Sequence, residues 1–284
     1  EGYAVMTPFV KWAGGKGQLV DRIKARMPAE FGRYYEPFVG GGALLMAIAP
    51  ERGCINDVNP ALINTYRAIR DCPSDLVSLI NSMDSVTCFN AFYKACREEY
   101  NKLIAAGQYN AQTAALFIFL NKHCFNGLYR VNGKGEFNVP WNKKESGSSI
   151  SVENILELSD FLKGIEIRCG DFEDAVQDAQ PGDFIFVDSP YAPLNGDSFE
   201  KYTKDGFSEE EHRRLAVLFT ELTERSCYCM ATNHDTPLIR GLYSKFNIEV
   251  VPVRRSINSN AEKRTGTEVI ICNYDPAVVN KKIV

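Results

Sequence analysis

The chain has 284 residues, 45% hydrophobic and 24% charged, which provides core for one large or two modest globular domains and excludes wholesale disorder. Its formal net charge of −4 excludes a protein basic throughout; the longest apolar run, Ala114 to Leu120, is far short of the roughly 20 residues that span a bilayer, and no basic-plus-apolar leader precedes Thr7. Nine irregularly spaced cysteines, with Cys227 and Cys229 the one close pair, provide neither a disulfide framework nor a zinc site, so a reduced, cytoplasmic compartment is expected, with no membrane partner and no metal.

Near the start, Lys11-Trp12-Ala13-Gly14-Gly15-Lys16 precedes a helical pattern, and its glycines would let backbone N–H groups approach an anionic group. An ordinary glycine turn beside a buried Trp reads the same way. A first strand is expected over Tyr34 to Val39, running into Glu36-Pro37-Phe38-Val39-Gly40-Gly41-Gly42-Ala43 and then a helix. This is the strand-to-helix position at which nucleotide-like cofactors bind in α/β sheets, which selects Phe38, Gly40 and Gly42. The segment lacks both the full G-x-G-x-x-G pattern and a P-loop Gly-Lys-Ser/Thr ending, which weighs against NAD or ATP and leaves an adenosyl ligand without a polyphosphate open. A second strand, Cys54 to Val58, carries Asp57 some 17 residues beyond Gly40, where a carboxylate can accept from both ribose hydroxyls. Asn56-Asp57-Val58-Asn59-Pro60 would equally serve as an Asx turn or helix cap.

From Pro60 to about Cys124 the pattern is helical: Ala61 to Arg70, Ser74 to Met83, Phe89 to Ala105 and Gln112 to Lys122. Residues 61–150 hold six Lys and four Arg against three Asp and four Glu, a net +3 that leaves −7 for the remainder. This stretch is too long for one crossover and reads as an inserted domain closed by the Gly-punctuated segment Phe125 to Pro140, with a hairpin expected around Asn132 to Gly135 and a return linker at Ser146 to Ser149. Lys122, Arg130, Lys134, Lys143 and Lys144 face only Glu136 up to residue 144, an excess suited to phosphate or to a solvated basic face.

A third strand, Ile165 to Cys169, leads into Asp171-Phe172. There an Asp could accept from the exocyclic amine of adenine while Phe packs on the ring, although a surface turn looks identical. The fourth, Asp183 to Asp188, ends in Asp188-Ser189-Pro190-Tyr191, which joins an acceptor, a stiff extended backbone and an aromatic face. The lone pair of an exocyclic amine is delocalised into its ring. A carboxylate and a main-chain carbonyl that accept both N–H groups favour a pyramidal, nucleophilic nitrogen, and Tyr191 can stack on an extruded base. A strand end turned by Pro beside a buried Tyr is the competing reading. A helix over Glu209 to Glu224, capped by Ser208, and strands at Cys227 to Thr232, Ile248 to Val253 and Glu268 to Asn273 complete a βα alternation with a mainly parallel sheet.

Lys11 to Lys16, Glu36 to Ala43, Asp57, Phe125 to Pro140, Asp171-Phe172 and Asp188 to Leu194 together resemble Dam-type DNA adenine N6-methyltransferases of the D12 class. The likeness continues through Asn233-His234-Asp235-Thr236 and Arg254-Arg255-Ser256-Ile257-Asn258-Ser259-Asn260 and covers most of the chain. The resemblance implies an α/β, Rossmann-like, S-adenosylmethionine-dependent fold over 1–60 and 151–284, with a mainly helical DNA target-recognition domain inserted at 61–150. It implies methyl transfer to N6 of adenine in duplex GATC, with S-adenosylhomocysteine as the other product. By this matching Trp12, Lys16, Asp57 and Asp188 contact cofactor, and Asp188 to Tyr191 form the catalytic segment. Phe125 enters the duplex beside the extruded base, Leu128 and Arg130 read outer bases, and Pro140 meets a thymine methyl.

Arg suits guanine O6 and N7, and Leu and Pro suit a methyl group. Asn126, Gly127 and Asn132 belong to the same DNA-facing segment, as do Arg254, Arg255, Ser256, Asn258 and Asn260 of the later one; Lys143 and Lys144 are assigned to phosphate. Phe125 and Leu128 in the insert core, with Arg130 on phosphate, is the alternative. The family has Asp-Pro-Pro-Tyr where this chain has Ser189; Ser keeps the carbonyl, and Pro190 still holds residue 189 extended. A monomer acting on double-stranded DNA is expected, with a cognate endonuclease as a further partner. The alternatives are a catalytically weak or inactive DNA-binding relative and a methyltransferase for another adenine-containing site.

Overall fold

The computed structural model describes residues 5–14, 17, 19–194, 206–254 and 265–279, and of Arg254 and Thr265 the backbone alone. Lys16, Arg255, Ser256, Asn258 and Asn260 of the expected site lie outside the described residues. The strands are β1 (Tyr34–Glu36), β2 (Gly53–Asp57), β3 (Ile165–Cys169), β4 (Phe184–Val187), β5 (Tyr228–His234), β6 (Asn247–Arg254) and β7 (Thr265–Cys272), in one sheet of order β3-β2-β1-β4-β5-β7-β6. β4 runs parallel to β1 and β5, and β7 runs antiparallel to β5 and β6. The helices are α1 (Val20–Lys24), α2 (Ala43–Ile48), α3 (Pro60–Asp71), α4 (Pro73–Asp84), α5 (Asn90–Ala105), α6 (Ala111–His123), α7 (Val152–Leu162), α8 (Glu209–Glu224), α9 (Pro237–Leu242) and α10 (Pro276–Val279). No helix among the described residues is long and apolar enough to cross a membrane.

β1 stops at Glu36, three residues before the expected end at Val39. Pro37 has no N–H to give the ladder, and the chain leaves the sheet there. α7 has no counterpart among the expected elements, although Ile155, Leu158, Phe161 and Leu162 are buried at helical spacing and Ser151 caps its Asn154 N–H.

The chain divides into two compact units, Glu1–Lys16, Val39–Glu51 and Ile55–Gly170 in one and Gly17–Phe38, Arg52–Cys54 and Asp171–Val284 in the other. In the first, α6 is buried on every side from Thr113 to Asn121, so it is an interior helix rather than an amphipathic surface one, and α3, α4 and α5 pack around it. α3 starts at Asn59, whose side chain accepts from the Ala61 and Leu62 N–H groups, with Pro60 in the first helical position. It also packs on α7 and β3, and Arg67 donates to the Ile167 carbonyl at 3.1 Å.

In the second unit, Phe184 to Val187 of β4 are all buried, which accounts for a run of four apolar residues without alternation. α8 opens with the expected Ser208 cap, closed into a reciprocal box by Glu211. Its Leu215, Leu218, Phe219 and Leu222 join Ile185, Val187, Cys229 and Ile271 in the core. His212 on the same helix is buried edge-on against Phe207, and burial pushes its imidazole down to about 4 from an ordinary 6.5. A base with a lowered folded pKa contributes fully above its unfolded pKa, and that stability is lost as pH falls toward the folded value. The urea midpoint is therefore expected to drop between about pH 7 and about pH 5, and His212→Leu to flatten that drop. An equal drop in the variant would show that another group governs acid sensitivity.

Candidate active site

In the first unit, the glycine turn after β1 is set by its own packing. Gly40 has φ +49° and a Cβ there would stand 2.7 Å from Trp12 Cδ1; Gly42, at φ +71°, would place one 2.6 Å from Tyr66 Oη. Tyr66 donates its hydroxyl to the Gly40 carbonyl at 2.9 Å, and Gly42 is the N-cap of α2. Both glycines are thus needed for positive φ and for the close approach of an aromatic side chain.

Asp57, at the end of β2, accepts the Gly40 N–H at 3.1 Å through Oδ2 and the Asn59 N–H at 3.0 Å through Oδ1. The second contact is the Asx turn that the sequence allowed. Burial pushes the Asp57 carboxyl up, opposed by the N–H groups of Asn59, Gly40 and Val58. A carboxylate so placed keeps further lone pairs for hydroxyl donors.

Also in this unit, Trp12 stacks on Tyr129 with centroids 5.5 Å apart and rings 26° from parallel. The buried Asn121 ties the adjacent backbone together: its Oδ1 accepts from Lys11 N–H at 2.9 Å, and its Nδ2 donates to the carbonyls of Lys11 and Gly127 at 2.9 and 3.1 Å. No reading of the sequence singled out Asn121.

The segment from Phe125 to Pro140 folds as the expected hairpin, with Val131 bridging Phe137 and Asn132 N–H donating to the Glu136 carbonyl. Phe137 and Val139 are buried, and Tyr93 donates to the Val139 carbonyl at 2.7 Å. Alternation then turns Pro140 outward, and its carbonyl accepts from Phe125 N–H at 2.8 Å. Asn126 and Gly127 take positive φ in a tight turn that leaves Phe125 51% and Leu128 41% exposed. Exposure removes the reading of these two as core residues. Arg130, also exposed, donates through Nε to Asn138 Oδ1 at 2.8 Å, so its head is held within the hairpin. Asn132 is taken up by the turn itself, accepting from Lys134 and Glu136 N–H groups. Lys143 and Lys144 are exposed.

In the second unit, Asp171 accepts from Glu173 N–H and from Arg214, whose guanidinium also lies 4.3 Å over the Phe172 ring. Phe172 is buried with Phe38 and Phe207, at centroid distances of 5.3 and 5.8 Å. Arg214 was not among the expected site residues; its partners lie 41 and more positions away in sequence, and no local pattern links them.

Asp188 leaves β4 at its C-terminal end, and its Oδ1 accepts from the Thr232 hydroxyl at 2.9 Å. Ser189 is buried and Pro190 exposed. Tyr191 donates its hydroxyl to Glu268 Oε2 at 2.9 Å, and its ring stands edge-on to His234 at 4.8 Å. Burial pushes the Tyr191 phenol far up, so it stays a donor. The next residue is held on both sides: Ala192 N–H donates to Asn233 Oδ1 at 2.9 Å, and the Ala192 carbonyl meets His234 Nδ1 at 2.8 Å. The structure thus brings Asp188, Ser189 and Tyr191 together with Thr232, Asn233, His234 and Glu268, a frame whose roles the sequence did not disclose.

An acidic acceptor and an aromatic ring are thus braced at the end of a parallel strand, groups chemically able to take a flat, amine-bearing molecule. The family model for D12 class N6 adenine-specific DNA methyltransferases matches residues 12–257, and the chain belongs to that family. It is an adenine-specific DNA methyltransferase. It is 37% identical to the Type II methyltransferase M1.LlaDCHI of Lactococcus lactis subsp. cremoris, over 95% of this chain and 96% of that one. It is 36% identical to the Type II methyltransferase M.MjaIII of Methanocaldococcus jannaschii, over 94% and 99%. To the DNA adenine methylase of Escherichia coli K12 it is 32% identical, over 96% of each chain.

Proposed function

We propose that the chain transfers a methyl group from S-adenosylmethionine to N6 of adenine in duplex GATC. The observation that carries this reading is the braced segment Asp188 to Tyr191. Thr232 donates to Oδ1 of Asp188 and so orients the carboxylate, which would accept one N6 hydrogen while the Ser189 carbonyl accepts the second. Tyr191, its hydroxyl engaged by Glu268, presents a ring for stacking on an extruded adenine.

An adenosyl cofactor suits the residues present: a shielded carboxylate at Asp57 that still has lone pairs for two hydroxyl donors, and glycine backbone in place of side chains at 40 and 42. When bound, S-adenosylmethionine supplies an electrophilic sulfonium methyl. Asp57 would hold its ribose hydroxyls, with Trp12, Gly40 and Gly42 shaping the contact in the same unit, and Phe38, Asp171 and Phe172 would serve its adenine. For Asp171 this requires Arg214 to share or release its carboxylate.

Recognition is assigned to residues 61–150 and chemistry to 1–60 and 151–284. The exposed side chains of Phe125, Leu128, Arg130 and Pro140 support a reading face, and the similarity to an E. coli DNA adenine methylase supports GATC. The Type II designation of two relatives supports a place beside a cognate endonuclease. Nine free thiols support action in a reducing cytoplasm, and we propose a monomer.

The test is methylation of a GATC duplex and of duplexes changed at one base pair, by the wild type and by two kinds of variant. Arg130→Ala is expected to cost roughly 1 to 3 kcal/mol on the matched site and to relax choice at one base pair. Lys143→Ala and Lys144→Ala are expected to weaken binding alike on all sequences, with a shallower salt slope. Equal losses on matched and mismatched duplexes for Arg130→Ala would make it a backbone contact, and an absence of GATC methylation by the wild type would sink the site assignment.

A further inference from the structure

Tyr191 is held by a residue 77 positions away. β5 and β7 pair so that His234 lies opposite Glu268, and the phenol of Tyr191 reaches Glu268 Oε2 at 2.9 Å while its ring meets His234 edge-on at 4.8 Å and 71°. The hydrogen bond to Glu268 at its tip and the aromatic edge of His234 at its side both constrain the ring plane. The adjoining backbone is tied to the same β5 end through Asn233 and His234, and Thr232 of β5 also reaches the phenol, while β7 supplies the Glu268 acceptor. A strongly raised phenol pKa keeps Tyr191 donating, which makes Glu268 the acceptor.

We propose that Glu268 is a positioning residue for methyl transfer: it fixes the tilt of the Tyr191 ring and so the seat of the extruded adenine, without touching the base. The inference rests on the reading of Tyr191 as the stacking residue. A ring free to swing about its side-chain torsions would still bind the base but would misplace N6 relative to Asp188, and misplacement of about 1 Å costs on the order of a hundredfold in rate.

The experiment is single-turnover methylation of a GATC duplex by the full chain at saturating S-adenosylmethionine, with cofactor titration and 2-aminopurine fluorescence at the target position. Glu268→Ala is expected to slow the single-turnover step about ten- to a hundredfold with cofactor affinity unchanged. Glu268→Gln, which keeps an acceptor oxygen, is expected to restore the rate to within about threefold of wild type. Tyr191→Phe keeps the stacking face and loses the donor, so it should match Glu268→Ala, and the double variant should be no slower than either single one.

Multiplying defects in the double variant would overturn the proposal, as would full-rate Tyr191→Phe or a Glu268→Gln as slow as the alanine variant. Should Glu268→Ala fail to fold, Tyr191→Phe and Glu268→Gln still decide the question. A wild type that does not methylate the duplex would instead overturn the proposed function, and the two failures are distinct.

Discussion

Asp188→Ala is expected to abolish methyl transfer, by at least about a thousandfold at saturating cofactor, while leaving the fold intact. The carboxylate stands one residue beyond a strand whose four buried apolar side chains do the packing, so its removal costs the core nothing. The Thr232 hydroxyl, itself buried, loses one acceptor, a cost of about 1 to 3 kcal/mol that lowers the melting point without unfolding the chain. Asp188→Asn sharpens the test. Asn can still accept from Thr232 through Oδ1, but it then turns an N–H toward the substrate amine, donor against donor, and should be nearly as inactive as Ala. Single-turnover methylation beside thermal melting decides the matter: activity within about tenfold of wild type in the alanine variant would remove Asp188 from the reaction.

Asp57→Ala should weaken S-adenosylmethionine binding by about 1.5 to 3 kcal/mol, the range for hydrogen bonds to a charged group. The loss should appear in calorimetric affinity and in KM for the cofactor, with the single-turnover rate recovering at saturation. A second consequence follows from the two backbone contacts. Gly40 and Asn59 N–H groups lose their acceptor, so the unliganded variant should also melt lower. The pH dependence runs in a defined direction. Burial raises the folded pKa of Asp57, so the empty protein loses this group's contribution as pH rises through that raised value, and the alanine variant lacks that slope. Unchanged cofactor affinity would refute the ribose role and leave Asp57 as a brace for the glycine turn.

The strands, their order along the chain and the capped helices at Pro60 and Ser208 were legible because each is written in local chemistry: an apolar run, a proline at the first helical turn, a serine three residues before a glutamate. The α7 helix carries the same signals, a Ser151 cap and apolar residues at helical spacing, but the polar stretch just before it marks the segment as a linker. The candidate site residues stand out for a similar reason. Asp57 and Asp188 end strands, where a short polar side chain after an apolar run is conspicuous, and Phe125, Leu128, Arg130 and Pro140 sit in one glycine-punctuated segment.

Local chemistry by itself determined the element types, the strand-end carboxylates and, through the order of its motifs, the family to which the chain belongs. Tertiary structure alone decided what those groups are held by. Thr232 beside Asp188, Glu268 on the Tyr191 phenol, Arg214 across Asp171 and Phe172, and Trp12 against Gly40 join residues 28 to 77 positions apart. A one-residue slip of β7 along β5 would put Glu268 on the opposite face of the sheet from His234 and leave Tyr191 without its acceptor. Val269, Ile270, Ile271 and Cys272 are all buried, so register is an outcome of packing both faces of β7 at once, a cooperative event of the whole sheet, and no window of sequence contains it.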